Sequence, residues 1–128
     1  MRLILTIAVF VFLLGIMSAC PDKCKCTTSP NRTIVHCYGN GLDSTPANIP
    51  VDAYELDLSF NEITIIPSNT FKGLQNLNKL WLYWNQITSI HNGSFDGLTN
   101  LHELDLSRNK LTSIESGTFA GLENLNSL

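Results

Sequence analysis

Cysteine is absent after Cys37, and positive charge is scarce: eight Lys and Arg stand against eleven Asp and Glu, a formal net charge of −3. That mild acidity weighs against nucleic acid or an anionic membrane surface as partner. Long apolar runs are absent too, save one at the front. The stretch from Leu3 to Met17 holds 15 residues, short of the roughly 20 that an apolar helix needs to cross a bilayer core. Nothing later in the chain is apolar enough to insert directly into a membrane. Tryptophan is almost missing, with Trp81 and Trp84 the only two.

What the chain has in abundance is repetition. A 24-residue unit occurs three times without a gap, over 53–76, 77–100 and 101–124, and a further copy opens at 125–128. Leu56, Leu80 and Leu104 share a column, followed by Leu58, Leu82 and Leu106, then Asn61, Asn85 and Asn109, then Ile63, Ile87 and Leu111. Further along each unit come Ile66, Ile90 and Ile114, then Phe71, Phe95 and Phe119, then Gly73, Gly97 and Gly121, then Leu74, Leu98 and Leu122. A fixed period of about 20–29 residues carrying LxxLxLxxNxL is the mark of stacked leucine-rich repeats. The GLxNLxxLxLxxNxL wording resembles that of the extracellular leucine-rich repeat proteins of animals. Neuronal guidance and adhesion receptors and the variable lymphocyte receptors of jawless fish have similar units.

The fold class expected is therefore an α/β-type repeat solenoid, a leucine-rich repeat horseshoe with a concave parallel β-sheet and a disulfide-bonded N-terminal cap. Within each unit LxLxx is a short strand whose alternation sends both leucines into the core. The chain returns along the other side through the segment holding the phenylalanine. No unit can bury its apolar face alone, so neighbours cover one another and stability sums along the stack. The asparagine column is expected to satisfy backbone groups in adjacent turns, the phenylalanines to form an internal column, and the glycines to serve tight backbone in the return segment.

Ahead of the repeats, residues 1–19 read as a secretory signal peptide, with Arg2 as the positive start and Ala19 as the small residue at the cleavage site. Met17-Ser18-Ala19-Cys20 is also similar to a bacterial lipoprotein signal, but Cys20 has a better use in the cysteine cluster directly behind it. Residues 20–52 hold all four cysteines, Cys20, Cys24, Cys26 and Cys37, and an even count behind a leader implies disulfides in an oxidising compartment. A Cys24–Cys26 bridge would close too tight a loop; either Cys20–Cys26 with Cys24–Cys37, or the pairing that joins Cys20 to Cys24, satisfies the rest. The spacing does not give the paired knuckles of structural zinc, and no metal or other cofactor is expected. The segment CPDKCKC with Cys37 resembles the family's cysteine cap, and that resemblance implies Cys20–Cys26 and Cys24–Cys37. Setting Leu42 against Ile63 aligns Val35 with Leu56 and Asn40 with Asn61, so the cap is expected to supply the first strand. Pro46 and Ile49-Pro50 then break the pattern.

The positions left free between the leucines should face solvent on the concave sheet. From cap to third repeat they read Ile34, Glu55, Lys79, Glu103; then His36, Asp57, Trp81, Asp105; then Tyr38, Ser59, Tyr83, Ser107; and past the strand Phe60, Trp84, Arg108. The expected ligand-binding set is Tyr38, Asp57, Phe60, Lys79, Trp81, Tyr83, Trp84, Asp105 and Arg108, because aromatics exposed together on a rigid surface give large contact area at little entropy cost. Two sequons, Asn31-Arg32-Thr33 and Asn92-Gly93-Ser94, are glycosylation candidates.

No catalytic constellation is visible. His36, His91 and His102 fall at unrelated offsets of the repeat, and four bridged cysteines leave no thiol nucleophile. Asp57 and Asp105 are two strands apart, about 10 Å at roughly 4.8 Å per strand, but Trp81 lies between them and no cleft is implied. The sequence therefore reads as a non-catalytic, secreted or cell-surface recognition module that binds an extracellular protein or glycan ligand on its concave face. A structural matrix protein of the small leucine-rich proteoglycan type is the alternative, and its one Ser-Gly dipeptide, Ser116-Gly117, has no acidic run before it. With no second cysteine cap, the apolar edge of Leu104, Leu106, Leu111, Leu125 and Leu128 is expected to face water. That edge implies a truncated chain, self-association, or a partner that covers it.

Overall fold

A computed structural model of the chain describes residues 19–128; the signal-peptide reading lies outside the described residues except for Ala19. Each repeat folds as its alternation dictates. The strands β1 (Lys25–Ser29), β2 (Arg32–His36), β3 (Ala53–Asp57), β4 (Ile65–Ile66), β5 (Lys79–Trp81), β6 (Ser89–Ile90) and β7 (Glu103–Asp105) follow in chain order. Five of them form one sheet in the order β1-β2-β3-β5-β7. Only the β1–β2 hairpin is antiparallel; β2, β3, β5 and β7 run parallel, with Val35, Leu56, Leu80 and Leu104 in one register row. The cap thus supplies β2 in repeat register, and β1 guards the free edge of β2 that would otherwise stand open.

The next inward row is Cys37, Leu58 and Leu82, held by Cys37 N–H to Asp57 O, Leu58 N–H to Trp81 O and Leu82 N–H to Asp105 O, each 2.8 Å. All three side chains are fully buried. Bridges join Cys20 to Cys26 and Cys24 to Cys37, so one sulfur pair reaches the end of the hydrophobic core and ties the cap to it. Burying each leucine contributes about 1.5–3 kcal/mol, which only stacking can supply for units this short.

The asparagine column links turn to turn. Asn85 Oδ1 accepts from Ile63 N–H (3.0 Å) while its amide donates to Leu58 O (2.9 Å) and Leu82 O (3.0 Å). Asn61 does the same toward the cap, accepting from Asn40 and Leu42 N–H and donating to Cys37 O. Asn109 accepts from Ile87 N–H and donates to Leu82 O. A second amide link lies at the other end of the strands: Asn100 and Asn124 each donate to a carbonyl of the preceding turn, Gln75 O and Thr99 O, both at 2.7 Å.

On the return side β4 and β6 pair in parallel, and Phe71, Phe95 and Phe119 stack face to face at 6.0 and 5.9 Å. Gly97, at φ +85°, turns the chain between Phe95 and Leu98; a Cβ there would meet nothing within 4 Å, so the backbone angle and not crowding calls for glycine. Ile66 and Ile90 are buried, whereas Ile114, in the last repeat, is exposed.

Leu104 departs from the expected open edge. It is 1% exposed, because residues 125–128 lay the next turn alongside it: Leu104 N–H donates to Ser127 O (3.0 Å), and Glu103 bridges to Ser127 in parallel. Leu106, Leu111 and Leu125 are half-buried and Leu128 is exposed.

Candidate functional site

The concave sheet carries two groups of side chains. The first lies on the strands themselves. Lys79, at the start of β5, sits 3.9 Å from Glu55 on β3 and 3.9 Å from Glu103 on β7. Glu103 also accepts a 2.7 Å hydrogen bond from the Trp81 indole N–H, and the Lys79 ammonium lies 5.7 Å from the Trp81 ring centroid. Trp81 is thereby fixed in orientation and half-buried. Glu55 and Glu103, which do this fixing, stand outside the residues singled out in the sequence; their place on either side of Lys79 in one register row is the signal that could have found them.

Asp57 and Asp105 cap the ends of their strands. Asp57 Oδ1 accepts from Ser59 N–H (3.0 Å) and from the Ser59 hydroxyl; Asp105 Oδ1 accepts from Ser107 N–H (2.9 Å) and Oγ (2.6 Å). One oxygen of each carboxylate is spent on its own turn, leaving the other for the concave face. The expectation for Ser59 is corrected: it is 1% exposed instead of facing solvent. Ser107 makes the same bonds to Asp105 and is exposed, so what buries Ser59 is the presence of a turn on each side of it, joined through Gly39 N–H to Ser59 O and Phe60 N–H to Tyr83 O.

The second group runs along the ends of the strands. Phe60 stacks on Trp84 at 6.0 Å and 9°, meets Tyr83 edge-on at 5.3 Å, and the Arg108 guanidinium covers the far side of Trp84 at 5.6 Å. Phe60 and Trp84 remain 50% and 52% exposed. Their rung is set by equal steps: Gly39 N–H to Ser59 O, Phe60 N–H to Tyr83 O and Trp84 N–H to Ser107 O, all 3.1 Å. At this position the backbone is left-handed in every turn, with φ of +67° at Gly39, +54° at Phe60, +53° at Trp84 and +56° at Arg108. Such a conformation is unusual for a bulky side chain. Glycine satisfies it in the cap, so the rings are not there to serve the turn.

Tyr38, 59% exposed, stands apart from the ring stack. It lines a hollow of about 530 Å3 with Lys23, Lys25, Thr27, His36 and Asn40 at the cap end of the face. Of the sequon asparagines, Asn31 is exposed in the β1–β2 turn and Asn92 on the return side. Their partner hydroxyls are both buried: Thr33 Oγ1 donates to Asp52 Oδ2 (2.8 Å), and Ser94 Oγ lies 2.8 Å from Ile66 O and 2.5 Å from His91 O. Among the described residues no group of three or more His, Cys, Asp or Glu could hold a metal ion.

Comparison with known proteins agrees with this architecture. The leucine rich repeat family model matches residues 53–110 and 84–128. Asporin of Bos taurus is 42% identical over 71 residues, which is 56% of this chain and 18% of asporin. Leucine-rich repeat-containing protein 3 of Danio rerio is 40% identical over 62 residues, 48% of this chain and 23% of that protein. The chain thus spans about a quarter or less of the length of these curated relatives. Among solved structures, human 5T4 (Wnt-activated inhibitory factor 1, trophoblast glycoprotein) superimposes with a TM-score of 0.72 at 27% identity, over 79% of this chain and 37% of that one. TLR13, solved in complex with ssRNA13, superimposes with a TM-score of 0.73 at 29% identity, over 85% of this chain and 16% of that one. Family-model matches that together cover more than half of the sequence, and strands stacked once per repeat on a shared asparagine column, lead to one assignment: this chain belongs to the leucine-rich repeat family.

Proposed function

We propose that the chain is a non-catalytic recognition module of an exported or cell-surface protein, and that it binds an extracellular protein or glycan ligand through its concave face. The observation that carries this reading is the exposed stack of Phe60, Trp84 and Arg108 with Tyr83 beside it. It stands on a sheet whose other side is a continuous buried core, so its rings lose little freedom when a partner covers them. Lys79, Trp81, Asp57 and Asp105 extend the same face with fixed polar groups. Both disulfides fit folding in an oxidising compartment.

The RNA bound by one structural relative is not carried over. Four carboxylates, Glu55, Asp57, Glu103 and Asp105, lie on the concave strands around Lys79, and a phosphate backbone would be repelled by them. Sugars at Asn31 and Asn92 leave the aromatic stack uncovered. Because Thr33 and Ser94 are buried once folded, such sugars would be added before the cap and second repeat close.

The test is a display of extracellular protein domains and glycans probed with the secreted chain, with a Phe60→Ala/Trp84→Ala double variant and a return-side Lys72→Ala control. Binding that is lost in the double variant and kept in the control supports the reading. Binding unchanged in the double variant and lost in the control would move the site to the return side.

A further inference from the structure

The cap end of the concave face differs in charge from the rest of it. Lys25 on β1 is the cross-strand partner of His36 on β2, and Thr27 pairs with Ile34 one step along. Because alternate residues share a face, Lys25 and Thr27 look the same way as His36 and Ile34. Lys25, Thr27 and His36, together with Lys23, Tyr38 and Asn40, line the hollow of about 530 Å3. Its polar side chains are ammonium, hydroxyl, imidazole and amide groups, and no carboxylate lines it. Lys23 and Lys25 form no ion pair among the described residues, whereas Lys79, further along the face, is held between two glutamates. One strand over from His36 stands the carboxylate of Asp57, and two strands further on that of Asp105.

We infer that this hollow receives a carboxylate, the Asp or Glu side chain of a protein partner lying across the concave face. The inference rests on the concave-face reading and narrows it. Two free ammonium groups and neighbouring donors fit one carboxylate. A polyanionic glycan fits the hollow but not its surroundings, since Asp57 begins within one strand spacing, about 4.8 Å, and would repel the next charge along. A protein segment with an acidic residue at the cap end and a basic residue three to four positions away matches both signs. In extended form it spans roughly 10–13 Å at about 3.3 Å per residue, which reaches Asp57 from either strand that lines the hollow. Charge pairing of this kind fixes the register of a partner.

The experiment is an NMR titration of the isotope-labelled secreted chain with the peptide Glu-Gly-Gly-Gly-Arg, blocked at both ends. Controls are Gln-Gly-Gly-Gly-Arg and a heparin-derived tetrasaccharide. The inference expects saturable shifts at Lys25, Thr27, His36 and Tyr38 with the Glu peptide. These shifts should fall at least tenfold in apparent affinity with the Gln peptide and with Lys25→Glu, and return with Lys25→Arg, all variants showing the wild-type thermal midpoint. Equal binding of the Gln peptide, tighter binding of the tetrasaccharide in the hollow, or no shift at these residues would overturn it. Shifts confined to Trp81, Tyr83 and Trp84 would overturn the hollow and leave the concave-face reading standing. Shifts confined to the return side would overturn both.

Discussion

Replacing Asn85 with alanine tests how the turns are held together. The side chain is buried, and its three hydrogen bonds do not carry equal weight. Leu58 O keeps the amide of Asn61 at 2.9 Å, and Leu82 O keeps that of Asn109 at 2.9 Å, so both carbonyls stay satisfied without Asn85. Ile63 N–H has no such substitute. Leaving a buried N–H unpaired costs about 1–3 kcal/mol, and losing two shared donors adds about half of the usual 0.5–1.5 kcal/mol each, so the expected loss is about 3 kcal/mol. Urea unfolding of the purified chain, followed by the fluorescence of Trp81 and Trp84, reads this as a lower midpoint with unchanged slope. Asn85→Asp sharpens the test. It keeps an acceptor for Ile63 N–H but sets an oxygen against two carbonyls, so its loss should equal or exceed that of alanine. A loss below about 1 kcal/mol in Asn85→Ala, or a wild-type midpoint in Asn85→Asp, would refute the account of the asparagine column.

Phe95→Ala empties the centre of the phenylalanine stack and should cost about 3–5 kcal/mol; Phe119→Ala, at a half-buried position, should cost clearly less in the same urea series. Replacing Cys24 and Cys37 together by alanine opens a bridge between residues 13 apart, against 6 for Cys20 and Cys26. The first pair should lower stability by about 2–5 kcal/mol and the second by less, measured as thermal midpoints of the two double variants. Gly97→Ala has room for its methyl but not the backbone angle, so a loss of about 1–2 kcal/mol is expected, with no gain of volume strain visible as altered Phe95 ring shifts.

Much of the fold was legible because one physical constraint repeats every 24 residues. Leu56, Leu80 and Leu104 must all reach the same core, so their column reports the strands, the parallel order and the register with the cap. The β1 hairpin strand was harder to see. Its sequence, KCTTS, has little apolar alternation and is almost wholly exposed, since it guards an edge and buries little. The β4–β6 pair escaped for a related reason: two residues per strand joined through backbone groups leave no side-chain pattern. Ser59 broke the simple rule of leucines in, others out, whereas Leu104 kept it where an open edge was expected. A turn on each side covers Ser59, while Ser107 with the same turn bonds stays exposed, and four residues of a further turn cover Leu104. On the concave face the identity of the free residues could be read from the columns. Their division into a charged group around Lys79 and Trp81, a ring stack on Phe60 and Trp84, and a separate cap hollow at Tyr38 depends on side-chain contacts between turns, which spacing alone does not contain.

The most direct test of the proposed recognition role is hydroxyl-radical footprinting of the purified chain with and without the protein or glycan that binds it best. The exposed rings on the concave face react readily, and Val51, Ile65 and Ile114, exposed elsewhere, serve as internal controls. The account predicts that bound ligand protects Phe60, Tyr83 and Trp84 severalfold while the three aliphatic controls keep their free-chain rates. Protection of Ile65 and Ile114 with Trp84 still fully reactive would contradict it and place recognition away from the concave sheet.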